Sequence, residues 1–184
     1  ITANYVFGQQ LQRDTTRFVE AAHGKVLGSA MYPFPETSDF SSFLVQAQSS
    51  GAKVVGFCNA GADTVNSVKQ AHEFGLAASG VKLAAMLASL NVIDSLGLEA
   101  AQGLLLTESF YWDMNDRTRA FTKRLLPTSD GKPANMVQAG VYSGAIHYLK
   151  AVQAVGPAVA KQNGAAVIAQ MKKMPTDDDA YGRC

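Results

Sequence analysis

The chain has 184 residues, 47% of them hydrophobic and 17% charged, with a formal net charge of +1. That length holds a substantial core, and a near-neutral charge with dispersed Lys and Arg gives no electrostatic footprint for nucleic acid or an anionic lipid surface. A membrane span needs roughly 20 mainly apolar residues, whereas the longest weakly charged stretch, residues 83–98, is interrupted by Ser89, Asn91, Asp94 and Ser95.

The first eight residues, Ile1-Thr2-Ala3-Asn4-Tyr5-Val6-Phe7-Gly8, read as the end of a strand and a strand-to-helix turn. In an open α/β sheet such turns lie where ligands bind. The strand that should carry this turn is expected upstream. Leu11, Phe18, Val19 and Ala22 then recur at helical spacing, and Gly24 is the expected stop. Residues 25–32 read as a strand. Pro33 and Pro35 punctuate a loop, and Ser38-Asp39 is placed to cap a helix carrying Phe40, Phe43, Leu44 and Ala47 on one face.

Gly51 closes that helix, and residues 53–58 form a short strand apolar enough for burial on both faces. Asn59-Ala60-Gly61-Ala62-Asp63 turns into a helix with Val65, Val68 and Ala71 inward. A strand over 81–87, a short helical segment and a strand over 103–107 follow. Helices are then expected near 117–125, started by Asp113 or Asn115, over 136–155 with Val141, Ala145, Leu149 and Val152 on one face, and over 164–173. Thr176-Asp177-Asp178-Asp179 reads as a solvated turn. The alternation of strand and helix gives an α/β class, a doubly wound parallel sheet with helices on both faces. The whole of 1–184 is taken as a single ligand-binding lobe.

Several chemistries lack their motif. There is no G-x-x-x-x-G-K-[ST] loop, no G-x-G-x-x-G and no G-x-S-x-G elbow. Asn59-Ala60-Gly61 matches a short-chain dehydrogenase string, but Tyr142 has Ile146, not Lys, four residues on, and Tyr5 has Gln9. His23, His72 and His147 are too scattered for a zinc pair. Asp39, Asp63, Glu108 and Asp113 each fit a cap or a helix-dipole role. Cys58 reads as a small buried hydrophobe, and spacing leaves its pairing with Cys184 open. No cofactor and no metal is called for.

The loops after successive strands should gather Tyr5, Phe7, Asn59, Ser89, Phe110, Tyr111 and Trp112 on one edge. Aromatic faces with a few amides and hydroxyls suit a small organic ligand.

The ordered strings Asn4-Tyr5-Val6-Phe7-Gly8, Ser38-Asp39-Phe40-Ser41-Ser42-Phe43-Leu44, Gly61-Ala62-Asp63, Lys69-Gln70-Ala71 and Gly75-Leu76 resemble the second lobe of a leucine/isoleucine/valine-type periplasmic substrate-binding protein. Glu99-Ala100-Ala101-Gln102-Gly103-Leu104 and Val141-Tyr142-Ser143-Gly144-Ala145 extend the resemblance over essentially the whole chain. It implies a bilobed, non-enzymatic periplasmic receptor that closes on a small molecule and docks on the membrane permease of an ABC importer, without itself spanning the membrane. On that resemblance the ligand-binding candidates are Tyr5, Phe7, Asn59, Ala60, Met86, Ser89 and Phe110.

One departure bears on the ligand. Amino-acid binders of the family tend to place a carboxylate near Met86-Leu87, and Ala84-Ala85-Met86-Leu87-Ala88 offers none. An aromatic or other organic acid is therefore favoured over an amino acid. A ligand-sensing domain of a regulator or receptor is the alternative reading, and an unlisted α/β enzyme comes third. An unpaired sheet edge at the start of the chain would also invite non-biological dimers.

Overall fold

The computed structural model describes every residue from Ile1 to Cys184. The chain divides into two compact units, Ile1–Glu108 and Ser109–Cys184.

The first unit runs β1 (Thr2–Ala3), α1 (Val6–Ala21), β2 (Met31–Tyr32), α2 (Ser41–Ser49), β3 (Val54–Phe57), α3 (Ala62–Glu73), β4 (Lys82–Ala85), α4 (Leu90–Leu96), α5 (Leu98–Ala101) and β5 (Leu105–Leu106). All its strand pairs are parallel, and a Thr2–Cys58 bridge joins β1 to β3, giving the order β2-β1-β3-β4-β5. The order reverses direction between β1 and β3, and in such sheets the ligand crevice opens beyond the strand ends at that point.

The core follows from strand alternation. Val55 and Phe57 of β3 and Leu83 and Ala85 of β4 point to one face, where Phe40 and Leu44 from the second helical region and Val68 and Ala71 of α3 cover them. Val54, on the other face, is half exposed, so β3 is buried on one side and not on both. Gly8 is the one fully buried residue of α1, and a Cβ there would collide with the Ala3 carbonyl oxygen. Only glycine lets this helix start so close to the strand. The helix ends on His23, held at φ 60°, with Gly24 donating to the Val19 carbonyl at 2.8 Å. The left-handed residue is thus His23, one position before the expected glycine.

Two expectations shift through tertiary context. The strand expected over 25–32 is paired only at Met31–Tyr32, because its parallel partner β1 is just as short. The cap expected from Ser38-Asp39 forms as a turn instead: Asp39 Oδ1 accepts from the Ser41 amide at 2.9 Å, while Phe40 occupies the N-cap. Gln70 then ties α3 to this turn, accepting from the Phe40 amide at 2.7 Å and donating to the Ser38 carbonyl at 2.9 Å.

The second unit contains α6 (Asp116–Leu125), a 3-10 turn (Leu126–Thr128), α7 (Met136–Val155), α8 (Pro157–Gln162), α9 (Gly164–Met171) and an antiparallel pair, β6 (Asp177–Asp178) with β7 (Gly182–Arg183). Asn115 and Asn135 open α6 and α7 with capping boxes, each side chain accepting from the amide three residues on. α7 has the expected bounds but the opposite face inward. Ala139, Ser143 and Ala151 are buried, whereas Val141 is 69% and Leu149 59% exposed. The inward stripe recurs every four residues through His147, and its small side chains admit α9 closely; His147 Nε2 lies 3.0 Å from the Met171 carbonyl.

The acidic tail is structured, not a free turn. Asp178 accepts from the Ser143 hydroxyl at 2.6 Å and from the Ala180 and Tyr181 amides at 2.8 Å each. Burial pushes its carboxyl up, but these hydrogen bonds outweigh that and hold it below the usual carboxylate range.

Candidate ligand site

The carboxyl ends of β1 to β5 all belong to the unit Ile1–Glu108, so its loops are where a ligand edge is sought. Tyr5 follows β1 directly. Its backbone is extended at the N-cap of α1, and its half-buried ring stacks on Phe34 with centroids 4.3 Å apart and planes 17° off parallel. Phe7 adds a third ring, 5.9 Å from Tyr5. Phe34 is 41% and Phe7 39% exposed, so the pair forms a rim with an open aromatic face. The chain gives α1 neither a side-chain cap nor an acidic residue in its first turn. The positive end of a 16-residue helix is therefore left uncompensated beside these rings.

Beneath the rim lies a polar layer. The Tyr32 hydroxyl donates to Asp63 Oδ2 at 2.7 Å. Burial first, then this carboxylate partner, push the Tyr32 phenol above its ordinary range. Asn59 is fully buried; its Nδ2 donates to Ser67 Oγ at 3.1 Å and its Oδ1 accepts from Thr64 Oγ1 at 2.9 Å. That amide fixes the turn between β3 and α3 instead of facing a ligand. Ala60 is half-buried in the same turn, ahead of Gly61, whose φ of 59° makes the N-cap of α3.

After β4 the two candidates diverge. Met86 turns back onto the sheet, where its Cε would be 3.6 Å from a Cβ on Gly56. Ser89 takes the N-cap position of α4, yet the Leu90 amide is capped by Glu108 Oε1 at 3.0 Å. The half-buried Ser89 hydroxyl makes no hydrogen bond and is free for another partner. Burial raises the Glu108 carboxyl, partly offset by the Leu90 amide.

Phe110 belongs to the other unit. It is 1% exposed, edge-on to Phe121 at 5.6 Å and to Tyr181 at 5.9 Å, a core position. The structure thus brings Tyr5 and Phe7 together, turns Met86 onto the sheet, engages the Asn59 amide within its own turn, and buries Phe110 in the core of its own unit. Phe34 is the residue that sequence reading passed over; its only signal was an aromatic between Pro33 and Pro35.

No nucleophile–base pair occurs on this rim, no three His, Cys, Asp or Glu side chains converge, and both cysteines are free thiols. The rim can stack a planar group and favour negative charge at α1. No helix is long and apolar enough to cross a membrane.

Comparison with known proteins finds relatives over the whole chain. A sequence profile described as periplasmic binding protein matches residues 1–184. A periplasmic binding protein from Burkholderia mallei is 45% identical with a TM-score of 0.87, over 99% of this chain and 46% of that one. A branched-chain amino acid ABC transporter periplasmic ligand-binding protein from Burkholderia xenovorans LB400 is 39% identical with a TM-score of 0.80, over 97% and 46%. An ABC transporter solute-binding protein from R. palustris, solved in complex with 4-hydroxybenzoate, is 26% identical with a TM-score of 0.83, over 98% and 49%. The chain therefore spans about half the length of these relatives. No curated protein matches it.

Proposed function

Because the chain belongs to the periplasmic binding protein family, we propose that the intact protein is the periplasmic solute receptor of an ABC importer, taking an aromatic or other organic acid and delivering it unchanged to a membrane permease. The observation that carries the reading is the open Tyr5–Phe34 stack at the switch point of the sheet. An aromatic ring laid on that face gains stacking worth about 0.5–1.5 kcal/mol beyond area burial.

Charge supports an acid over an amino acid. The Asp63 and Glu108 carboxylates already accept from Tyr32 and Leu90. The strand-end segment Ala84-Ala85-Met86-Leu87-Ala88 supplies no carboxylate for an α-ammonium, whose burial without a partner anion costs several kcal/mol. A ligand carboxylate, by contrast, meets the uncapped start of α1. The relative that holds 4-hydroxybenzoate supports the same ligand class.

Calorimetry on the intact receptor with benzoate, 4-hydroxybenzoate and leucine tests this. An aromatic acid should bind at least tenfold tighter than leucine and be recovered chemically unchanged. Tighter binding of leucine would overturn the ligand class, and product formation would overturn the receptor reading.

A further inference from the structure

Seven asparagines occur in the chain, and Asn163 alone is followed by a glycine. It is the one residue between α8 and α9, it is exposed, and the exposed Gly164 opens α9. Asn163 caps that helix weakly. A single donor, the Ala166 amide, is shared between its side-chain Oδ1 and its main-chain carbonyl, both at 3.2 Å. The other two asparagine caps of this unit are held from both sides. Asn135 Oδ1 accepts from the Val137 and Gln138 amides at 2.9 and 3.0 Å, and Gln138 Oε1 accepts from the Asn135 amide at 3.0 Å. Asn115 has the same reciprocal arrangement with Thr118. At Asn163 the third helical position is Ala166, which has no side-chain oxygen to reach back.

The next nitrogen along the chain is equally unencumbered. Gly164 is the first residue of α9, so its amide has no partner within the helix, and no other acceptor meets it. No atom lies within 4 Å of the place that a Cβ on Gly164 would take. Comparable pairs elsewhere lack this freedom. The Ser67 amide, after Asn66, lies inside α3 and belongs to its hydrogen-bond ladder. The Gly131 amide, after Asp130, donates to the Leu126 carbonyl at 3.0 Å.

We propose that Asn163–Gly164 is a self-modifying site, at which the chain deamidates without an enzyme and with water as the co-reactant. The Gly164 nitrogen gives its proton to a solvent base and attacks Asn163 Cγ. The bond from Cγ to the carboxamide nitrogen breaks, and that nitrogen takes a proton from water and leaves as ammonia. Water then opens the resulting succinimide at either carbonyl, giving aspartate in ordinary or isoaspartyl linkage. One water is consumed, one ammonia is released, and no atom is oxidised or reduced. Ring closure requires rotation about the Asn163 ψ, 85° here, which the backbone freedom of Gly164 absorbs within the first turn. Aspartate caps a helix as well as asparagine does, and its charge suits the positive end of α9, so the ordinary product keeps the fold. The isoaspartyl product adds a backbone methylene at the α8–α9 joint. It should loosen the seat of α9 on α7, where His147 Nε2 lies 3.0 Å from the Met171 carbonyl.

Peptide mapping of the intact protein, aged at mildly alkaline pH and cut with trypsin, tests this. The 162–172 peptide should exchange ammonia for water, in both linkages, about tenfold faster than any other asparagine peptide. Equal conversion at Asn115 or Asn135 would overturn the inference. The rate in the folded protein should lie within about tenfold of that in the free 162–172 peptide; a wider gap would mean that the helix protects the site, and would overturn it too. Gly164→Ala fits the open space and should slow conversion about tenfold by crowding the attacking nitrogen. Unchanged conversion in that variant would replace attack by Gly164 with direct hydrolysis and contradict the proposal.

Discussion

The chain builds two aromatic clusters of similar ring spacing and opposite exposure. Tyr5, Phe7 and Phe34 meet at centroid distances of 4.3 and 5.9 Å, and Phe110, Phe121, Tyr142 and Tyr181 at 4.9 to 5.9 Å. In the second cluster Phe110 and Phe121 are each 1% exposed; in the first, Phe34 and Phe7 keep open faces. Ring contact alone therefore does not separate a binding surface from a core. Burial and neighbouring chemistry differ: the exposed rings sit beside an uncapped helix start, the buried ones among Ala134, Ala139 and Ala180.

That contrast is sharpest in mutation. Phe121→Ala should cost about 3–5 kcal/mol of stability by leaving a cavity. Denaturant unfolding should register it, while ligand affinity per folded molecule stays within about twofold.

Tyr32→Phe comes next. It removes the hydroxyl that Asp63 accepts and should cost about 1–3 kcal/mol, since a carboxylate loses its donor. It also has a pH signature. The folded state raises the Tyr32 pKa, so the native protein favours the neutral phenol. That contribution is complete below the unfolded value of about 10 and declines as pH rises above it. Wild-type stability should fall more steeply than the variant's above pH about 10; parallel alkaline curves would remove Tyr32 from the account.

Asn135→Ala deletes the cap of α7 and should cost about 1 kcal/mol with no effect on ligand binding. Phe34→Ala is the smallest in stability, within about 0.5 kcal/mol for a surface position. It should still weaken an aromatic ligand several-fold. A large drop in melting temperature with unchanged affinity would make the rim a structural cluster like the other.

Local chemistry was the most legible part of the sequence. Asn115 was one of the two starts offered for its helix and proves to be the cap, and the 136–155 range was readable from period alone. What period could not supply was direction. Along α7 both Val141–Leu149 and Ala139–Ser143–Ala151 recur at helical spacing, and close approach of α9 selects the smaller set. The strand over 25–32 failed for a related reason, since a β-strand exists only against a partner, and here the partner is two residues long. Phe110 could be read either way, because its position after the last strand of one unit is also the first turn of another core. Phe34 was hidden by its two prolines, which marked a loop without saying that its ring would lie on Tyr5.

The most direct measurement is titration calorimetry of 4-hydroxybenzoate into the intact receptor and its Tyr5→Ala variant, with thermal melts of both. The account predicts a loss of tenfold or more in affinity with a melting temperature changed by no more than about 2 °C. Unchanged affinity with a melting temperature lowered by several degrees would contradict it, and would move Tyr5 from the ligand rim to the fold.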